Sequence, residues 1–209
     1  MEKTQTTKKK KSTVYPVVFM FVLTAILTAI LAFLNEKTKP IIQEKQALET
    51  QQKVLSVFDI EPEDPSDENI KKTFEENVVA KDYSESEREL FALVQDGKEV
   101  AFAIPVEGPG LWGPIEGYVG ISGDFKKLTG IEFTEQQETP GLGGRITEDE
   151  YKEQYRGLEI DGRSEGSYVA NKPASDGNID AISGATQTSS FTVDLVNEGL
   201  DKFLKKVDK

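Results

Sequence analysis

The sequence predicts an α+β domain, built as an antiparallel sheet with flanking helices, behind a single N-terminal transmembrane helix. Three observations predict it: an uncharged apolar stretch from Val14 to Leu34, two strand–turn–strand patterns between Leu90 and Phe133, and an amphipathic segment that closes the chain. A chain of 209 residues has room for one modest domain plus an anchor, so one chemical site is expected.

Val14 to Leu34, at about 1.5 Å of rise per residue, spans roughly the 30 Å hydrocarbon core of a bilayer. Pro16 falls in the first turn, where a missing N–H does no harm, and Lys8 to Lys11 precede it. Residues 1–13 are therefore read as a basic cytoplasmic tail and 14–34 as the membrane helix, with everything after Asn35 exported. A cleaved signal peptide is the competing reading. The apolar stretch exceeds a typical signal core, however, and Ala32-Phe33-Leu34 offers no small-residue cleavage site.

Residues 35–58 are read as a helical stalk, because Ile41, Leu48 and Leu55 recur at seven-residue spacing with Ile42, Val54 and Phe58 on neighbouring turns. A plain core-covering helix fits the same pattern. The run from Asp59 to Glu68 is acidic and proline-broken, and residues 59–89 are read as a linker leading into the domain. Its carboxylates lack the spacing and central glycine of an EF-hand, so no metal site is assigned.

The domain itself is assigned to residues 90–209. Leu90–Val94 and Val100–Val106 flank an Asp96-Gly97 turn, and Tyr118–Ile121 and Leu128–Phe133 flank Gly123-Asp124, which predicts two hairpins. Thr147 and Glu150 form the pattern of a capping box for a short helix that ends at Gly157. A last helix is expected from about Ser190 to Val207, with Phe191, Leu195, Val196, Leu200, Phe203, Leu204 and Val207 on one face.

Composition narrows the chemistry. With no cysteine and no histidine, thiolate-held iron–sulfur clusters, His or Cys haem ligation, Cys/His zinc sites, disulfides and imidazole-based triads are all excluded. Any redox chemistry must then reside in an organic cofactor. The net charge of −12 divides unevenly: Met1 to Thr13 holds five lysines against one glutamate, which is +4 and leaves −16 on the rest. An acidic body without a basic stripe argues against nucleic acid as a partner.

The sharpest local feature is Asp180-Ala181-Ile182-Ser183-Gly184-Ala185-Thr186-Gln187-Thr188-Ser189-Ser190, directly before the last helix. Gly184 permits close backbone approach, and a helix start offers unpaired N–H groups and a positive dipole end, which together describe a phosphate seat. An ordinary Ser/Thr-rich helix cap has the same composition. Thr139-Pro140-Gly141-Leu142-Gly143-Gly144 reads as a rigid turn whose glycines let backbone approach a flat ligand, or simply as a loop. Trp112, the one tryptophan, lies among Gly110, Gly113 and Pro114 and is either a core plug or a cover for one face of a ring. No G-x-G-x-x-G follows a strand, so a dinucleotide is not expected to bind.

Asp180-x-x-Ser183-Gly184-Ala185-Thr186 resembles the flavinylation motif of the FMN-binding subunits of sodium-translocating NADH:quinone oxidoreductase and of the Rnf complex. Glu138-Thr139-Pro140-Gly141-Leu142-Gly143-Gly144-Arg145-Ile146 and Gly110-Leu111-Trp112-Gly113-Pro114-Ile115-Glu116-Gly117 resemble the same family and stand in its order. The resemblance covers essentially the whole chain, the anchor helix included.

It implies an extracytoplasmic domain on the outer face of the cell's inner or plasma membrane, carrying FMN bound covalently by a phosphoester to Thr186 rather than Thr188. A separate magnesium-dependent flavin transferase, using FAD, would make that bond. Asp180, Ser183, Gly184, Ala185 and Thr188 would surround the attachment point, and Leu111, Trp112, Glu138, Thr139, Gly141, Leu142 and Gly143 would line the ring. Other membrane subunits would be the partners, and the chain would be a redox subunit with no complete reaction, and no catalytic residue, of its own. Gln136 occupies the place where family members often carry a histidine, which removes any proton role there and keeps a hydrogen-bonding one. Gly110-Leu111-Trp112 and the stalk spacing lean toward the C subunit of the quinone reductase, with the Rnf G subunit close behind. A non-redox exported interaction module is the alternative from another class, and it leaves three ordered motifs unexplained.

Overall fold

Val14–Val57 form one continuous helix, α1, which passes through Pro40 without ending. The computed structural model describes residues 14–207; the basic tail read from the first thirteen residues lies outside them. The chain divides into two units at Gln46/Ala47. In the first, the side chains from Val14 to Leu34 are exposed throughout, and the helix is long and apolar enough to cross a membrane.

The second unit, Ala47–Lys209, begins with the last turns of α1. Leu48, Val54, Leu55, Val57 and Phe58 are buried, whereas Ile41 and Ile42 are exposed, so the core-covering reading of the stalk holds from Leu48 onward. The stretch read as an acidic linker contains two elements. Helix α2 (Asp67–Asn77) is capped by Ser66, whose hydroxyl accepts from the Asn69 N–H, and it carries Asp67 and Glu68 in its first turn, where they complement the dipole. It buries Ile70 and Phe74, one turn apart. Strand β1 (Val78–Lys81) follows at once.

Strands β2 (Leu90–Gln95), β3 (Lys98–Pro109), β4 (Pro114–Ser122) and β5 (Leu128–Glu135) continue an antiparallel meander in the order β1-β2-β3-β4-β5. Both predicted hairpins are present. At the first, Gln95 pairs with Lys98 across Asp96 (φ 51°) and Gly97 (φ 73°), the two left-handed residues that a type I′ turn requires. The outer edge of β5 is covered by the segment after Tyr155, with Leu128 N–H donating to the Leu158 carbonyl and Gly157 N–H to the Leu128 carbonyl, both at 2.9 Å.

The sheet separates two cores, because successive side chains alternate faces. Phe91, Leu93, Ala101, Ala103 and Tyr118 face the end of α1 and α2. Ile104, Val106, Val119, Ile121, Ile131 and Phe133 face the last helix, α4 (Thr186–Val207), through its Val193, Leu195, Val196, Leu200 and Phe203. Glycine sets the closest approaches: a Cβ on Gly120 would lie 2.5 Å from a Val57 methyl, and one on Gly199 equally close to a Val106 methyl.

Two local expectations are corrected. The short helix is broken into a 3-10 turn (Gly143–Thr147), the single turn α3 (Asp149–Lys152) and a second 3-10 turn (Glu153–Tyr155). Its cap is Glu148 and not a Thr147/Glu150 box; the Thr147 hydroxyl instead donates to the Gly144 carbonyl at 3.0 Å. The last helix starts at Thr186, four residues before the expected Ser190, so the flavinylation-like motif runs into its first turn.

Tyr151 and Tyr155 lie in the core beneath α4, with their hydroxyls 3.1 Å apart. Burial pushes both phenols up, and it raises Tyr83 to about 12. A raised phenol contributes stability that is complete below the ordinary pKa of about 10 and is lost as pH climbs toward the folded value. Tyrosinate absorbance of the folded chain should therefore rise later on alkaline titration than that of the urea-unfolded chain, with melting temperature falling above about pH 10. Coincident titration curves would contradict this.

Candidate functional site

Three loops converge at the N-terminal end of α4. The first is the tip of the β3–β4 hairpin. Pro109 sits opposite Pro114, and the Gly110 N–H closes the tip on the Gly113 carbonyl at 2.8 Å. Leu111 and Trp112 are thereby thrust outward; Trp112 is 68% exposed, which rules out the core-plug reading.

The second loop follows β5. The Gln136 side-chain oxygen accepts from the Glu138 N–H at 2.7 Å, so Gln136 does take a hydrogen-bonding role. Thr139-Pro140-Gly141-Leu142 then turns, with the Leu142 N–H donating to the Thr139 carbonyl at 3.1 Å. Proline second and glycine third at φ 74° is the type II pattern, which explains both residue types. The turn leaves the Leu142 side chain half-exposed.

The third loop is Ile182-Ser183-Gly184-Ala185, closed by the Ala185 N–H on the Ile182 carbonyl at 3.0 Å, with Gly184 at φ 80°. Ser189 locks it from inside the helix: its hydroxyl accepts from the Ile182 N–H at 2.9 Å and donates to the Ala185 carbonyl at 3.1 Å. Ala185 brings no side-chain acceptor to the helix start, and the Ser189 N–H already donates to the Ala185 carbonyl at 3.0 Å, so Thr186, Gln187 and Thr188 are the first-turn residues whose N–H groups an external acceptor would meet.

Glu138 ties the three together. It is 4% exposed, and Oε1 accepts from the N–H groups of Leu111 (2.7 Å) and Trp112 (3.2 Å) while Oε2 accepts from the Thr188 hydroxyl (2.6 Å). Gly143 packs its backbone on this junction; a Cβ there would lie 2.6 Å from Thr188 Oγ1 and 2.7 Å from Glu138 Oε2. Leu142 reaches across to Gly184, where a Cβ would meet its Cδ2 at 3.3 Å. The result is a half-exposed apolar rim of Leu111, Trp112 and Leu142 beside a helix start.

The hydroxyls of the third loop and of the first turn of α4 divide by burial. Thr188 is 1% exposed and Ser189 fully buried, each already donating. Ser183 and Thr186 are exposed. Asp180 belongs to a different set of neighbours: its carboxylate pairs with Lys172 at 3.1 Å, and its N–H donates to the Gln154 side chain at 2.6 Å. Arg145, Glu148, Gln154, Asp180 and Ser183, with Tyr151 and Ile182, line a cleft of about 200 Å³. Sequence reading missed Arg145 there, although it directly follows Gly143-Gly144, and it missed Ser189 as the lock of the third loop.

Residues 110–201 match the FMN-binding domain family. Across 88% of its length the chain is 30% identical to the G subunit of the ion-translocating oxidoreductase complex of Methanosarcina acetivorans, and it covers 91% of that protein. The chain belongs to the FMN-binding domain family. It is also 34% identical over 155 residues to the C subunit of the Na(+)-translocating NADH-quinone reductase of Vibrio anguillarum, covering 60% of it, and 37% identical over 89 residues to the corresponding C subunit of Chlamydia pneumoniae, covering 28%. The chain thus spans less than two thirds of these NADH-quinone reductase relatives. This family member shares its fold with the crystal structures of Shewanella oneidensis NqrC (TM-score 0.65, 20% identity, 78% of this chain and 98% of that one) and of the Na(+)-translocating NADH-quinone reductase C subunit from Parabacteroides distasonis (TM-score 0.66, 21% identity, 82% and 97%). Its relatives are subunits of ion-translocating oxidoreductase complexes, and all three motifs lie within the matched residues.

Proposed function

We propose that the chain is a membrane-anchored electron-transfer subunit that carries FMN as a phosphoester on Thr186. The observation that carries this reading is the division of hydroxyls: Thr186 is exposed at the first residue of α4, whereas the Thr188 hydroxyl is buried and committed to Glu138. A phosphate on Thr186 meets open first-turn N–H groups and the positive end of a helix dipole. The apolar rim of Leu111, Trp112 and Leu142 suits a flat aromatic ring, and the tight turns at Gly141 and Gly184 keep other side chains clear of it.

FMN, when bound, supplies the redox chemistry in a chain that has no cysteine or histidine to hold an iron–sulfur cluster or a haem. The chain's residues anchor the phosphate, cover the ring and exclude water from one of its faces. Ser183, Gly184 and Ala185 form the loop that presents Thr186 to a flavin transferase, with Asp180 held just before it by Lys172 and Gln154, and Thr139 and Gly143 supply backbone to the rim.

Val14 to Leu34 would hold the domain to the membrane, with the lysine-rich end inside the cell and the domain outside. A covalent bond suits that location, since no FMN pool there replaces lost cofactor. Partners are the other membrane subunits of an ion-translocating complex. In sequence the match runs over nearly the whole of a G subunit and over only part of the C subunits, which favours the Rnf-like type. The test is a boiled denaturing gel of the chain coexpressed with a flavin transferase: a band fluorescent under ultraviolet light supports the reading, and a dark band contradicts it.

A further inference from the structure

Glu138 stands in the middle of the ring-lining residues, yet nothing of its carboxylate faces outward. Both oxygens are taken up by the protein: two backbone N–H groups of the β3–β4 tip on one, the Thr188 hydroxyl on the other. Three donors and no acceptor meet it, and charge-assisted bonds of this kind are about twice as strong as neutral ones. The fold makes room for it with glycine from two separate motifs. A Cβ on Gly110 would lie 2.6 Å from Oε1, and one on Gly143 2.7 Å from Oε2. The Gln136 side chain also holds the Glu138 backbone at 2.7 Å. One carboxylate thereby links a hairpin tip 26 residues before it to a helix turn 50 residues after it.

We propose that Glu138 is a positioning residue: it pins the Leu111–Trp112 tip to the first turn of α4, fixes the distance between Trp112 and Thr186, and touches no cofactor itself. This deepens the flavin reading and rests on it for its purpose, but the clamp is a property of the polypeptide and is measurable without flavin. The carboxylate is needed as an acceptor on one side. An amide in its place keeps Oε1 for the tip and can donate Nε2–H to the Thr188 oxygen. Shortening to aspartate keeps the charge and withdraws the reach.

The experiment uses the full chain with Thr186→Val in the background, so that no flavin is attached and the single tryptophan reports on Trp112 alone. Steady-state Trp anisotropy and cleavage by chymotrypsin after Trp112 are compared for Glu138, E138Q, E138D and E138A. The clamp predicts lower anisotropy and at least about tenfold faster cleavage in E138A and E138D, the factor expected for losing even one of the three charge-assisted bonds, with rescue in E138Q. Where E138A fails to fold, E138D carries the comparison. Anisotropy and cleavage unchanged in E138D overturn the proposal, and so does an E138Q that behaves like E138D. Intact mass of the wild-type chain coexpressed with a flavin transferase is read in parallel: absence of flavin there overturns the functional reading and leaves the clamp result standing by itself.

Discussion

Thr186→Val yields a folded chain with no covalent flavin, whereas Thr188→Val yields a loaded but less stable one. The contrast follows from burial. Thr186 is exposed at the start of α4, so a β-branched isostere there changes stability by no more than about 0.5 kcal/mol while removing the one oxygen that can be esterified. Thr188 is buried and donates to Glu138 at 2.6 Å; removing its hydroxyl strips a donor from a buried carboxylate and costs about 1–3 kcal/mol. Thr186→Ser keeps a hydroxyl and is expected to load in part. Gel fluorescence with intact mass checks the loading, and urea unfolding checks the stability. Equal loading of Thr186→Ser and Thr186→Val contradicts the account.

Gly143→Ala should strain the junction at Glu138 directly. Its Cβ would sit 2.6 Å from Thr188 Oγ1 and 2.7 Å from Glu138 Oε2, and those two atoms are bonded to each other, so neither swings away without breaking the clamp. Overpacking of this kind costs about 1–3 kcal/mol, which for a domain of this size lowers Tm by roughly 2–12 °C. The Leu111–Trp112 tip should loosen with it. Gly141→Ala is the control: a Cβ there meets nothing within 4 Å, leaving only the penalty of about 1 kcal/mol for a side chain at φ 74°. Thermal unfolding of the two variants tests the ranking, and a Gly143→Ala chain as stable as Gly141→Ala would contradict the packing described.

The two hairpins were legible because Asp96-Gly97 and the alternating residues around it act locally. Helix α2 was hidden for an equally physical reason. Among eleven mostly charged residues it buries only Ile70 and Phe74, which is too little periodicity to stand out from an acidic linker. The early start of α4 was missed because Thr186, Thr188 and Ser189 have the composition of a cap, whereas Ser189 bonds back to the loop before the helix and Thr188 bonds to Glu138, 50 residues away. Thr186 and the three motifs were visible as patterns, but the role of Glu138 was not. A glutamate whose partners lie 26 and 50 residues away carries no local sign of being buried.

The most direct measurement is mass spectrometry of the chain purified under denaturing conditions from its native cells, followed by fragmentation of the peptide that spans Thr186. The expected result is one FMN, less one water, on Thr186 and an unmodified Thr188. A bare peptide, or flavin on any other residue, would contradict it.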